Sequence, residues 1–240
     1  MIHSIKFFRA ATLLVSAVLF VAIVCGAPQK KNAKKLADAA KKAQASADTF
    51  TEIMNVPEKA IPQNLLDKAE AIAVFEVVKA GFIVGGRTGN GVITRRVPGG
   101  WSPPAFYNMN GGSFGLQIGA AKTDIILLFM NTGAVDSLMQ DKFEIGGEGS
   151  VAAGPVGRSA SASTDAQLKA QILSYSRSKG LFAGLEIKGV VISPDNNDNE
   201  PVYGMNANGV LAPARKWKLT DMPAGVRIFP RTLARYSVRK

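Results

Sequence analysis

The sequence nearly lacks the two side chains on which most enzyme sites depend. Among its 240 residues there is one histidine, His3, and one cysteine, Cys25. Catalytic triads, cysteine–histidine dyads, disulfides and zinc sites with His or Cys ligands all need one or both of these residues. Because both lie within residues 1–26, the remainder of the chain can build none of these sites, and most classes of enzyme are excluded.

Residues 1–26 have the pattern of a secretory signal peptide. Lys6 and Arg9 precede an uncharged apolar run over 10–24, and small residues follow it. The run is shorter than the roughly 20 residues that a membrane-spanning helix needs. We expect cleavage after Gly26 and an exported protein that is periplasmic, associated with the cell envelope or secreted. Lipidation of Cys25 and a retained membrane anchor are the alternatives.

Residues 27–56 form a lysine-rich segment that is predicted to be largely helical. The stretch 33–54 is rich in alanine, contains no glycine or proline and ends before Pro57. Its apolar residues recur at steps of three and four, and form one stripe: Leu36, Ala40, Ala43, Ala47, Phe50 and Met54. Two interpretations are open. The helix could pack its apolar end on the following domain, or it could lie on an anionic membrane, where each lysine contributes about 1 kcal/mol.

Residues 212–240 form an arginine-rich segment at the other end of the chain. Four of its arginines recur at steps of four and would form a basic stripe in a helix or a strand: Arg227, Arg231, Arg235 and Arg239. Pro230 argues against a central strand and against an uninterrupted helix. The stripe suits phosphate groups, of lipid rather than nucleic acid in an exported protein. A solvated tail is an equally good interpretation.

Residues 57–211 are predicted to form one α+β domain, with a mainly antiparallel, curled or barrel-like sheet and short packed helices. Short apolar runs rich in β-branched and aromatic residues alternate here with glycine-rich turns. The predicted strands lie at 71–78, 81–86, 91–97, 113–119, 123–130, 143–154 and 180–192, and the predicted short helices at 62–69 and 132–140.

Three polar motifs resemble ligand or catalytic sites, but structural interpretations fit them better. GGRTGNG at 85–91 matches neither common nucleotide-binding glycine pattern and is predicted to be a hairpin turn. Ser176 and Lys179 have the spacing of a serine–lysine dyad without its companion motifs, so LSYSRSKGLFAG at 173–184 is predicted to end a helix and begin a strand. DNNDNE at 195–200 lacks the spacing of a calcium loop and is predicted to be a hairpin turn.

The sequence predicts no catalytic residues, no cofactor and no metal site. Four acidic residues are candidates for inward-facing carboxylates, but their spacing does not pair them for acid–base chemistry: Glu144, Glu148, Asp165 and Glu186. We therefore expect a protein that binds rather than catalyses.

Four strings, in this order, resemble the SYLF domain family. They are AIAVFEVVKAGFIVGGRTGNGVI, GGSFGLQIGAAKTDIILLFMN, GEGSVAAGPVGRSASASTD and ILSYSRSKGLFAGLEIKG, within roughly residues 57–205. SYLF is a lipid-binding module, also described in fungi as an actin-binding domain, and the export signal is typical of bacterial members. The resemblance implies a non-enzymatic module that binds acidic phospholipids, phosphoinositides in eukaryotes, through basic residues and an N-terminal amphipathic helix.

The resemblance and the charge pattern together give the candidate lipid-binding residues. They are Lys30, Lys31, Lys34, Lys35, Lys41, Lys42, Lys79, Arg87, Arg158, Arg177 and Lys179. The expected partner is an anionic phospholipid surface, and the resemblance favours membrane binding by the lysine-rich segment. The alternative is a structural protein of the envelope that binds a protein or polymer. We do not expect actin, phosphoinositides or nucleic acid to be partners of an exported protein.

Overall fold

The computed structural model describes residues 27–82, 84–114, 119–157, 169–178, 181–184 and 187–237. The predicted signal segment, 1–26, lies outside these residues. The middle of the string SFGLQIG, residues 115–118, also lies outside them. The strands are β1 (Ala71–Phe82), β2 (Val84–Val97), β3 (Gly100–Trp101), β4 (Ala105–Phe114), β5 (Gly119–Phe129), β6 (Phe143–Ile145), β7 (Val151–Ala153), β8 (Ile172–Ser178), β9 (Leu181–Gly184) and β10 (Val190–Pro194).

Six α-helices lie in the described part of the chain. They are α1 (Ala27–Met54), α2 (Gln63–Lys68), α3 (Thr132–Leu138), α4 (Asn196–Tyr203), α5 (Ala207–Val210) and α6 (Ile228–Tyr236), with short 3-10 turns at Leu219–Asp221 and Ala224–Val226. The helices predicted at 33–54, 62–69 and 132–140 are therefore confirmed. None of these helices combines the length and the apolar character that crossing a bilayer would take.

The strands form one curled sheet in the order β6-β10-β4-β2-β1-β5-β8-β7, with β3 paired to β2 and β9 to β8. Every pair is antiparallel except β7 with β8. The two ends of this order, β6 and β7, are consecutive in the chain, and a bridge between Ile145 and Gly149 lies in the turn that joins them. The sheet thus curls until its first and last strands come close together. This confirms the predicted α+β class with a barrel-like, mostly antiparallel sheet.

The sheet separates two hydrophobic cores, because alternate residues of each strand face opposite sides. We call the core on the concave side the inner core. Phe129 of β5 and Phe143 of β6 meet there with ring centroids 6.3 Å apart, although four strands separate β5 from β6 in the sheet order. Helices α3 and α5 also contribute to this core, through residues such as Val135 and Val210.

The outer core lies between the convex face of the sheet and the helices α1 and α6. Sheet residues such as Val74 and Tyr175 pack there against Phe50 of α1 and against Phe229 and Leu233 of α6. The lysine-rich segment, the central segment and the arginine-rich segment therefore share one core.

Three predictions from the sequence are wrong: two of them are turns and one is a helix end. Residues 85–91 lie inside β2, where Gly91 is opposite Phe75 of β1. A Cβ added to Gly91 would lie 2.2 Å from the carbonyl oxygen of Val74, so this glycine permits a close approach of two strands and does not mark a turn. The described residues of 173–184, which are 173–178 and 181–184, lie in the antiparallel strands β8 and β9, so the predicted helix end is not found among them.

The third error concerns DNNDNE, which lies at the start of α4 and not in a hairpin turn. Its polar side chains make tertiary contacts. The Asn199 side chain accepts a hydrogen bond from the Phe106 backbone N–H at 2.8 Å and donates one to the Phe106 carbonyl at 2.9 Å. Through these two hydrogen bonds the Asn199 side chain pairs with both backbone polar groups of Phe106, and so holds α4 against β4.

The arginine-rich segment forms helix α6, with Pro230 in its first turn. The backbone N–H that proline lacks has no helical partner at that position, so the helix tolerates it. Since Phe229 and Leu233 are fully buried, the described part of this segment is not a solvated tail. Arg239 lies outside the described residues.

Candidate functional site

Helix α1 packs its apolar stripe on the domain and leaves its polar side in solvent. Ala43, Ala47, Phe50 and Ile53 are all buried in the outer core. The first of the two interpretations of the lysine-rich segment, packing on the domain, is therefore confirmed. The buried part of the stripe cannot at the same time insert into a membrane, and Leu36 near its start stays exposed.

Two of the candidate lipid-binding lysines hold α1 to α4. The Lys42 Nζ lies 2.6 Å from Asp198 Oδ2, and Lys35 contacts the other carboxylate oxygen. Burial by itself would raise the pKa of Asp198, but the two ammonium groups outweigh it and hold this pKa below its ordinary value. We call these three residues the lysine clamp. Lys35 and Lys42 thus share one carboxylate, which compensates one of their two positive charges within the fold.

Arg177 is a second candidate whose charge is compensated inside the molecule. Its Nε donates to Asp124 Oδ2 at 2.8 Å, and its guanidinium also contacts Glu52 of α1. Because Asp124 is on β5 and Arg177 on β8, the group joins two strands to the helix. Ser176 is a strand residue beside it, opposite Ile125. This geometry supports a structural role for Arg177.

Lys79 and Arg87 form an unusual pair of like charges on the concave side of the sheet. They lie directly opposite each other on β1 and β2. Burial, and then the charge of Arg87, lowers the pKa of Lys79. The Nε of Arg87 is buried and has no hydrogen-bond partner among the described residues. The two cations repel each other and are not compensated by a described carboxylate.

The remaining candidates divide into exposed residues and residues that are not described. Lys34 and Lys41 are exposed on α1. The side chains of Lys30 and Lys31, and all of Arg158 and Lys179, lie outside what the structure describes.

The candidate carboxylates give no catalytic pair in the described part of the chain. Glu144 and Glu148 are exposed in one turn, where Glu148 Oε2 accepts a hydrogen bond from the Glu144 backbone N–H at 3.3 Å. Asp165 and Glu186 lie outside the described residues. In the part of the chain that is described, no group of three or more His, Cys, Asp or Glu side chains could hold a metal ion.

A small cleft lies between α1 and strands β1 and β2. Its volume is about 210 Å³, and lysines and carboxylates both line it, among them Lys41, Glu76 and Asp124. Glu76 already accepts from Lys122, whose Nζ lies 2.5 Å away. The cleft therefore offers a mixed and largely paired set of charges, with no surplus of one sign to select a ligand.

Helices α1 and α6 together form a surface that was not predictable from the sequence. The Phe50 and Tyr236 rings meet at 5.8 Å, and a Cβ added to Gly225 would lie 2.5 Å from that of Ala40. Residues 40–50 therefore run beside residues 225–236 in the same direction.

Each of these two adjacent helices exposes a pair of cations. On α1 they are Lys34 and Lys41, two turns apart, and on α6 they are Arg231 and Arg235, one turn apart. We call these four residues the helical basic face. The arginine spacing is visible in the sequence, but the position of α6 beside α1 depends on helix packing that no local pattern shows.

Comparison with known proteins places the chain in a family. The family model Ysc84, described as "Las17-binding protein actin regulator", matches residues 110–235, and this match includes α6. The human SH3 domain-containing YSC84-like protein 1 is 34% identical over 168 residues, which cover 68% of this chain and 49% of the relative. The LAS seventeen-binding protein 3 of Saccharomyces cerevisiae (strain ATCC 204508 / S288c) is 37% identical over 158 residues, which cover 64% of this chain and 34% of the relative.

The chain spans half or less of the length of these relatives, so the partners named for them belong first to the longer proteins. The family itself is shown by the matched residues, which make up more than half of the chain. Its description and the names of the relatives concern regulation and binding of proteins. The chain is a member of the Ysc84 family, the family of the SYLF domain.

Proposed function

We propose that this protein is a non-enzymatic interaction module, and that its helical basic face binds an acidic surface on a protein partner, with actin filaments as the partner to test first. The observation that carries the proposal is the division of α1 into two sides. Its apolar stripe is buried in the outer core from Ala43 to Ile53, while Lys34 and Lys41 stay exposed on a helix that packs against the one carrying the exposed Arg231 and Arg235.

Two helices fixed against each other hold the four cations in a defined arrangement. Positive charges at fixed spacing are suited to acidic groups at fixed spacing on a folded partner, which such charges attract and orient. The description of the family as an actin regulator supports this choice of partner. The proposed activity is binding alone, since the described carboxylates provide no catalytic pair.

An anionic membrane is the second candidate, and the exposed lysines of α1 favour it. Lipid binding by this surface would have to rest on charge, because the apolar residues that a membrane helix inserts are buried against the domain. Charge alone gives weak attachment that salt screens strongly. We therefore place protein binding ahead of lipid binding.

The localisation predicted from residues 1–26 remains a prediction, because these residues lie outside the described part of the chain. If the protein is exported, the same face would bind an acidic protein or polymer of the cell envelope. The physical requirement on the partner, an acidic surface of matching geometry, is the same in both compartments.

Sedimentation of the protein with two probes separates these candidates. The probes are filamentous actin and vesicles of phosphatidylserine with phosphatidylcholine, each studied over a range of salt concentrations. We expect the protein to pellet with filaments, and pure phosphatidylcholine vesicles serve as the control for non-specific binding. Pelleting with the anionic vesicles alone would support the membrane candidate against ours, and pelleting with neither probe would contradict both.

A further inference from the structure

A groove of about 500 Å³ lies between the end of α4 and the loop that precedes α6. Its walls combine apolar and aromatic side chains, among them Tyr203, Met205, Trp217, Met222 and Pro223, with the charged side chains of Arg215, Lys216 and Asp221. None of these residues belongs to the helical basic face, so the groove is a separate surface of the domain.

The aromatic side chains of the groove are fixed in position by bonds outside it. The Tyr203 hydroxyl donates to the Pro104 carbonyl at 2.7 Å, and its ring stacks on Phe106 with centroids 6.0 Å apart. The Trp217 indole N–H donates to the Val210 carbonyl at 3.2 Å. Because their polar atoms are already bonded, these two residues offer apolar ring surface that is preorganised to receive an apolar group.

Arg215 is held at the edge of the groove by contacts that do not neutralise it. Its guanidinium lies 4.5 Å from the centroid of the Trp217 ring, and its Nη1 lies 3.3 Å from Met205 Sδ. No described carboxylate forms an ion pair with it. The guanidinium therefore keeps most of its N–H donors for a carboxylate, which it can bind through two parallel hydrogen bonds.

The charge around the groove is positive. Arg215, Lys216 and Lys218 are exposed there, and the nearby acid is Asp221. The Asp221 carboxylate already accepts from the Lys218 backbone N–H at 3.1 Å and from the Thr220 hydroxyl at 3.3 Å. The surroundings of the groove thus favour an anionic ligand with an apolar part.

We propose that this groove binds a short acidic peptide segment of a partner protein, in which an apolar side chain stands next to a carboxylate. The apolar side chain enters between Tyr203, Trp217 and Met222, and the carboxylate accepts hydrogen bonds from Arg215. A peptide is favoured because the groove is concave and has the size of one or two side chains, whereas a membrane or a polymer backbone would offer a broad charged surface.

Titration with matched synthetic peptides tests this proposal. The first peptide has Leu and Phe flanked by Glu, the second has Lys in place of each Glu, and the third has Ser in place of Leu and Phe. Tryptophan emission reports binding, since Trp217 lines the groove while the other tryptophan, Trp101, is buried under Arg96. We expect a saturable change with the first peptide and at least about tenfold weaker binding of the other two. The second peptide loses the charge-assisted bidentate contact with Arg215, and the third loses the apolar side chains that the groove would bury.

Two variants locate the binding. We expect Arg215→Gln to lower the affinity for the first peptide by about tenfold. Arg231→Gln, on the helical basic face, should leave this affinity unchanged. Equal binding of the acidic and basic peptides, no saturable change in emission, or an unchanged affinity in Arg215→Gln would each overturn the proposal. Sedimentation of Arg215→Gln with actin filaments tests the helical basic face separately, because that variant leaves all four of its cations in place.

Discussion

The ammonium nitrogen of Lys42 lies 2.6 Å from Asp198 Oδ2, between residues that are 156 positions apart in the sequence. Lys35 contacts the second oxygen of the same carboxylate. This clamp fixes the lysine-rich helix α1 to α4 and so determines which of its lysines remain available to a partner. The two lysines of the clamp support the fold, whereas Lys34 and Lys41 are exposed.

Replacing Asp198 with asparagine should destabilise the protein. The substitution leaves two ammonium groups close together without their counter-charge, and we expect a loss of about 2 kcal/mol in the free energy of unfolding. Chemical denaturation followed by circular dichroism measures this change. Glu200→Gln on the same helix is the matched control, since Glu200 is exposed, and an equal effect of both variants would show that the clamp contributes nothing.

The same carboxylate should make stability depend on pH in acid. Because the pKa of Asp198 is lower in the folded than in the unfolded state, its contribution is fully present above the unfolded value of about 3.9 and is lost as the pH falls through the folded value. The difference in unfolding free energy between the wild type and Asp198→Asn should therefore be constant near neutral pH and shrink below about pH 4. A difference that stays constant down to the lowest accessible pH would contradict this assignment.

Removing the charge of Lys79 should stabilise the protein. Lys79 faces Arg87 across the strand pair, and like charges in this position cost roughly 0.2–1 kcal/mol. We expect Lys79→Met to raise the free energy of unfolding by about that amount at pH 7. Lys122→Met is the control, since it breaks the pair with Glu76 and should give no gain.

The pH dependence of this gain has a definite sign. The pKa of Lys79 is lowered in the folded state, so its charged form destabilises the fold, and the penalty disappears as the pH rises through the folded and then the unfolded pKa. The advantage of Lys79→Met should therefore decline in alkali. An advantage that grows with pH would show that the charge of Lys79, which burial and then Arg87 disfavour, is not its cause.

Arg96 joins the sheet to the end of α2 and, through the Ser237 hydroxyl, to the last of the described residues. Its Nε donates to the Ala69 carbonyl at 2.9 Å and its Nη2 to the Leu66 carbonyl at 2.9 Å, and the guanidinium lies 4.3 Å from the centroid of the Trp101 ring. A lysine cannot make both bonds, so Arg96→Lys should cost about 1–3 kcal/mol.

Thermal unfolding of Arg96→Lys measures this cost, and the emission of Trp101 reports the local change. Arg235→Lys, at an exposed position of α6, keeps the charge and should leave the melting temperature nearly unchanged. A similar small effect in both variants would mean that the two carbonyl bonds of Arg96 add little to stability.

Much of the fold follows from periodicity that is visible in the sequence. The strand predicted at 123–130 contains an uninterrupted apolar run from Ile125, which lies in β5 and is buried on both faces up to Phe129. The three- and four-residue spacing in 33–54 predicts both the helix and its buried side. Both patterns lie within short stretches of sequence and reflect only which residues are buried. They therefore predict the secondary structure well wherever an element packs along its whole length against the core.

The errors lie where local chemistry is ambiguous. Glycine is common both in turns and where two strands approach closely. The string GGRTGNG therefore predicts a turn, although Gly91 lies opposite Phe75 in the middle of a strand. Asn199 and Asp198 are typical turn residues, but their partners are Phe106, Lys35 and Lys42, far away in the sequence.

The candidate site was predictable only in part, for a related reason. The sequence shows which residues are basic but not which ones the fold neutralises, and Lys35, Lys42 and Arg177 proved to have acidic partners. Long-range pairing of this kind depends on the packing of α1, which no local pattern contains.

The affinity for actin filaments of the variant Lys41→Glu/Arg231→Glu tests the central claim most directly. These substitutions reverse one exposed charge on each helix of the basic face, whereas Lys142→Glu makes the same change at an exposed residue before β6. We predict that the double variant binds filaments at least about tenfold more weakly than the wild type, roughly 1.4 kcal/mol, and that Lys142→Glu binds normally. Equal affinities of all three proteins would contradict the account.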